Sequence, residues 1–167
     1  SMLTLLPFSL GELQRVGRAP TTVDALLHGG LFPPIHDRPV DPSVWLQDYV
    51  GTYLERDVRQ ILNIQDPATF QRFVQLCAGR IGQLVNVSSL GADTGITRVT
   101  AEAWLSVLQA SHLVFLVRPW FTNTSKRLIK TPKLYFTDPG LAAWLLGVRD
   151  PSHVAAHPQR GALFENW

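Results

Sequence analysis

The chain has 167 residues, is 46% hydrophobic and only 17% charged, and carries a formal net charge of +2. This composition can bury a core and excludes a disordered tail, while the small net charge excludes holding nucleic acid by bulk charge alone. The single cysteine, Cys77, excludes an intramolecular disulfide and a cysteine-based zinc site, and no apolar run approaches the ~20 residues of a membrane helix.

Residues 3 to 8 read as a short strand ended by Pro7, and residues 9 to 29 as a helix opened by a Ser9/Glu12 capping box. Residues 30 to 42 hold four prolines and read as a loop. Ser43 to Leu62 gives the clearest helical pattern, with Trp45, Tyr49, Tyr53, Leu54, Val58, Ile61 and Leu62 recurring at helical spacing. Asp66-Pro67 opens the next helix, whose apolar stripe is Phe70, Phe73, Val74, Leu76 and Cys77.

Val87 to Thr97 then reads as a short helix capped by Ser88 or Ser89, a turn at Gly95, and Thr97 as the cap of a second helix ending near Ser111. The small residues Gly91, Ala92 and Gly95 fall where two helices must approach. His112–Val117 is β-rich, and Leu128-Ile129 and Lys133–Phe136 are further β candidates. Three helices followed by strands around a polar hairpin is the order of a winged helix-turn-helix. Asp138-Pro139 opens a helix from Leu141 to Leu146 that Gly147 ends. Residues 147 to 161 read as a loop, and Leu163–Trp167 as the first turn of an unfinished helix.

The hairpin carries the chemistry. Arg118, Lys126, Arg127, Lys130 and Lys133 stand with no acidic residue between them, interleaved with Trp120, Phe121 and Asn123. Mobile cations of this kind suit contacts to phosphates, or they only blunt a sheet edge. The second helix of the turn offers Arg98 and Thr100, but Glu102 one turn on opposes phosphates, so contact without strong sequence readout is expected. Glu55-Arg56-Asp57-Val58-Arg59 is either a salt-bridged helix face or presents Arg56 and Arg59 to a phosphate or a neighbouring subunit. None of the five histidines has metal-ligand spacing, and neither a phosphate-binding loop nor a nucleophile elbow is present.

Several segments together resemble the bacterial AAA-type ATPases that carry a winged helix and a restriction-nuclease-like C-terminal domain. They are Leu5–Leu13, Gly29–Pro33, Tyr53–Val58, Ser89–Ile96, Trp104–Leu108, Lys133–Leu141 and Gly161–Asn166. The resemblance implies that this chain is the part after the ATPase core. ATP and Mg then belong to the parent protein and no cofactor to this chain. Glu165 matches a glutamate of the nuclease-like domain, but the partners such a site needs are not in the sequence.

The expectation is a mainly α fold with a small β-wing, a winged helix-turn-helix flanked by helical segments. Residues 1–18 would be a remnant of the core, 19–66 a helical linker, 67–137 the winged helix, and 138–167 the start of the C-terminal domain. The expected function is non-catalytic binding of double-stranded DNA through backbone phosphates, in the cytoplasm. Its partners would be the missing ATPase core and C-terminal domain, and further copies of itself, with no membrane. The alternatives are an interaction module between domains or subunits and, less favoured, a nuclease fragment.

Overall fold

The computed structural model describes residues 6–53, 64, 66–120 and 131–167. In chain order its elements are α1 (Leu10–Arg15), α2 (Val23–Gly29), α3 (Pro33–Asp37), α4 (Pro42–Tyr49), α5 (Pro67–Ala78), α6 (Val87–Thr94), α7 (Arg98–Ala110), β1 (Val114–Val117), β2 (Lys133–Phe136), α8 (Pro139–Leu145), α9 (Pro151–Ala156) and α10 (Arg160–Asn166). The protein is mainly helical with a two-stranded antiparallel sheet. It divides into two compact units. One is the chain up to Tyr49 together with Thr137–Trp167; the other is Val50–Phe136.

In the first unit the expected capping box is present: Ser9 Oγ accepts from the Glu12 amide at 3.3 Å, and the Ser9 amide donates to the Glu12 carboxylate at 2.7 Å. The expected single helix over 9–29 is two. Gly17 takes φ +68° and ends the first, and Thr22 caps the second by accepting from the Ala25 amide at 3.1 Å. The expected loop over 30–42 contains α3, because prolines in a first turn lack only an amide that no helix would have used. Asp41 opens α4, accepting from the Ser43 and Val44 amides at 2.8 and 3.2 Å. The expected continuation of that helix over 54–62 lies outside the described residues. So do residues 3–5 of the expected first strand, and residues 6–8 are irregular.

Thr137–Trp167 completes this unit. Helices α8 and α9 pack on α2, with α4 and α10 against α8. Leu26, Leu27, Leu46, Leu141, Ala142, Val154 and Leu163 are buried here. The expected loop over 147–161 is a correction: Asp150 caps α9 and α10 starts at Arg160.

One knot fixes the return of the chain. Asp138 is fully buried; its carboxylate accepts from the Leu31 amide at 2.6 Å and the Leu141 amide at 2.9 Å. Gly30 (φ +68°, ψ −161°) lies so close that an added Cβ would stand 2.2 Å from Asp138 Oδ1. A Cβ on Gly140 would stand 2.6 Å from the Gly30 nitrogen. Burial pushes the Asp138 carboxyl up to about 6, against the pull of the amides of Leu31, Leu141 and Gly140.

In the second unit Asp66 caps α5 as expected, accepting from the Ala68 and Thr69 amides. Trp104 of α7 meets Phe70 and Phe73 edge-on, each ring centroid 5.3 Å away. Helix α6 packs on α5 and α7, and α7 on β1. Asn86, not Ser88 or Ser89, caps α6, accepting from the Ser89 amide at 3.0 Å. The ladder pairs Val114 with Phe136 and Val117 with Lys133. Residues 81–85 lie along β2: the Gly82 amide donates to the Leu134 carbonyl at 2.9 Å, and the Val85 amide to that of Pro132 at 2.9 Å.

Candidate nucleic-acid interface

The turn between α6 and α7 is built as its residues predict. Gly95 is left-handed at φ 86°, a conformation open to glycine without steric cost. The Ile96 amide donates to the Gly91 carbonyl at 2.9 Å. Gly91 permits the close approach: a Cβ there would lie 3.0 Å from the Ile96 carbonyl oxygen. Thr97 then caps α7, accepting from the Thr100 amide at 3.1 Å.

Arg98 is exposed in the first turn of α7, and its Nε donates to Glu102 at 2.7 Å. The spacing of the two, one helical turn apart, makes this pair, and it neutralises the one cation that the helix offers near its start. Thr100 is half-buried, with its hydroxyl 2.8 Å from that of Thr97. Arg118 is exposed immediately after β1, and Lys133 opens β2 opposite Val117. The ladder therefore brings Arg118 and Lys133 to the same end of the sheet. Lys126, Arg127 and Lys130 lie outside the described residues, as do Arg56 and Arg59.

Of these residues Arg98 lines a groove of about 450 Å³, with Leu84, Val85, Asn86, Val87, Ser88 and Thr131. It places the starts of α6 and α7 beside Thr131, two residues before Lys133. Asn86 and Thr131 are missed by the sequence reading, which takes Ser88 only as a candidate helix cap. The cap at Asn86 and the β-prone Leu84-Val85 before it were the available signals. Arg80 pairs with Asp93, which ties the end of α5 to α6.

Trp104 is spent in the core of its unit, 7% exposed, and Trp144 lies beneath the Arg149 guanidinium at 4.1 Å. Trp120 is 80% exposed, so these three tryptophans do not share one exposed role. Burial pushes the Cys77 thiol up to about 12, which leaves it protonated and unreactive at neutral pH. Among the described residues no cluster of His, Cys, Asp and Glu could hold a metal ion, and no helix is long and apolar enough to cross a membrane.

The geometry defines a mainly helical protein with a small two-stranded antiparallel sheet. Residues 20–152 match a domain of unknown function, DUF8612, and the chain belongs to that family. It is 35% identical over 143 residues to the uncharacterized protein Rv2008c of Mycobacterium tuberculosis and, equally, to the uncharacterized protein Mb2031c of Mycobacterium bovis. The match covers 84% of this chain and 32% of each relative, so the chain spans about a third of their length. No solved structure matches it.

Proposed function

We propose that residues 67–137 form a winged helix-turn-helix that binds double-stranded DNA mainly through backbone phosphates, as a non-catalytic segment of a larger AAA-type ATPase. The observation that carries the reading is the shared groove. Arg98 at the start of α7 and Thr131 at the base of the hairpin line one concavity, with Arg118 and Lys133 at the adjoining end of the sheet. Residues 81–85 along β2 support the winged form, since they tie the segment between α5 and α6 to the same small sheet. The Arg98–Glu102 pair favours affinity without base readout, because a guanidinium held by a carboxylate is poorly placed to read guanine. The greater length of the mycobacterial relatives accords with a multi-part parent. The ATPase and nuclease-like parts, with ATP and Mg, rest on the sequence resemblance alone.

The test is fluorescence anisotropy of the chain with two unrelated duplexes. Both should bind within about threefold of each other, and replacing Lys126, Arg127 and Lys130 together by Ala should weaken both at least about tenfold. A strong preference for one duplex, or unaltered binding by the triple variant, contradicts the reading.

A second reading is favoured by one observation: Phe115, Val117 and Trp120 are 41%, 45% and 80% exposed on and after β1. An apolar strip beside a strand suits contact with another subunit or domain. Under that reading Trp120→Ala would shift the concentration dependence of sedimentation and leave duplex binding untouched.

A further inference from the structure

The first unit carries a half-open cavity of about 870 Å³ between α1 and α3. Its size lies within the ~300–1,000 Å³ of small-molecule sites. Phe8, Leu13, Pro33 and Pro34 give it apolar walls. Those walls are held from several sides. Arg18 Nη1 donates to the His36 carbonyl at 2.5 Å and stands 3.8 Å from Asp37 Oδ1, clasping the exit of α1 to the end of α3. The His36 ring bonds the Gly30 carbonyl at 2.9 Å, and the Phe8 ring stands edge-on to it at 6.3 Å.

The charges on the walls are unevenly spoken for. Asp37 faces Arg18. Glu12 accepts from the Ser9 amide at 2.7 Å and the Ser9 hydroxyl at 2.8 Å, which holds its carboxyl below the usual range. Arg15 and Arg38 line the same cavity; Arg15 acts on Glu12 only through space, and neither forms a hydrogen bond or ion pair among the described residues. Two guanidiniums that form no hydrogen bond or ion pair among the described residues, beside an apolar wall, match a ligand with one anionic head and one apolar body. Guanidinium suits both carboxylate and phosphate, each of which it meets with paired donors.

We propose that this cavity binds a small organic anion, its ring or hydrocarbon body against Phe8, Leu13, Pro33 and Pro34 and its carboxylate or phosphate met by Arg15 and Arg38. The site is formed by the first unit alone and is independent of DNA binding by the second.

Isothermal titration of the full chain with phenyl phosphate, benzoate, inorganic phosphate and phenol tests it. At least one of the first two should bind about tenfold more tightly than both inorganic phosphate, which lacks the body, and phenol, which lacks the charge. Comparing phenyl phosphate with benzoate identifies the head group. The double variant Arg15→Ala/Arg38→Ala should lose that binding about tenfold with an unchanged circular dichroism spectrum, since both side chains are exposed, while Arg98→Ala should retain it. Equal binding of all four probes, no binding of any, or tight binding that survives the double variant overturns the proposal.

Discussion

Replacing Gly30 by Ala tests the knot that returns Thr137–Trp167 to the first helices. Gly30 sits at φ +68°, ψ −161°, a region essentially closed to residues with a side chain, where strain costs about 1–3 kcal/mol. The new Cβ would also stand 2.2 Å from Asp138 Oδ1. Asp138 cannot step aside freely, because its carboxylate accepts from the amides of Leu31 and Leu141. Forcing it away adds an overpacking cost of about 1–3 kcal/mol, so the total should be about 2–6 kcal/mol. Gly11 provides the internal control. It lies in α1 with nothing within 4 Å of an added Cβ, so Gly11→Ala should stabilise by about 0.5–1 kcal/mol. Urea unfolding followed by circular dichroism reads both. Equal midpoints for Gly30→Ala and Gly11→Ala would refute the reasoning, since the same methyl group would then have the same effect in two opposite environments.

Asp138 makes the stability of the first unit depend on pH. Its folded-state carboxyl, pushed up to about 6, lies above the ordinary 3.8. The associated stability is therefore fully present below about pH 4 and lost as pH rises through about 6, amounting to about 3 kcal/mol. Asp138→Asn should flatten that fall when urea midpoints are compared at about pH 4.5 and about pH 7.5; parallel profiles for variant and wild type would count against it. Glu102→Gln should release Arg98 and tighten duplex binding about two- to fivefold by anisotropy, and weaker binding would show that the carboxylate contributes to the interface. Trp104→Ala should cost about 3–5 kcal/mol in urea unfolding, because the ring is enclosed by Phe70 and Phe73.

The elements read best from the sequence are those whose signal is local. Asp66-Pro67 and Asp138-Pro139 each announce a capped helix, and each does so in the structure. Asp150-Pro151 carries the same signature; reading the surrounding Pro and Gly as a loop hid α9. Gly95 and Thr97 define their turn for steric and hydrogen-bonding reasons that need no distant partner. The break in the first helix was legible in Gly17 and Pro20, which the reading of one helix from the Ser9 cap passed over. What no local pattern reveals is the long return. Asp138 reaches the Leu31 amide across more than a hundred residues, and α8 and α9 find α2 only through tertiary packing. For the site, the sequence located Arg118 and Lys133, but only the register of β1 on β2 brings them to one end of the sheet. The spacing of Arg98 and Glu102 allowed their bond, but the sequence reading took Glu102 only as opposing phosphates.

The salt dependence of duplex binding tests phosphate contact most directly. With Arg118, Lys126, Arg127, Lys130 and Lys133 as the contributing cations, log K against log salt should fall with a slope of about −4 to −5. Removing Arg118 and Lys133 together by Ala should reduce that slope by about 2 in magnitude. A shallow slope for the wild type, or one that the double variant leaves unchanged, would contradict the account.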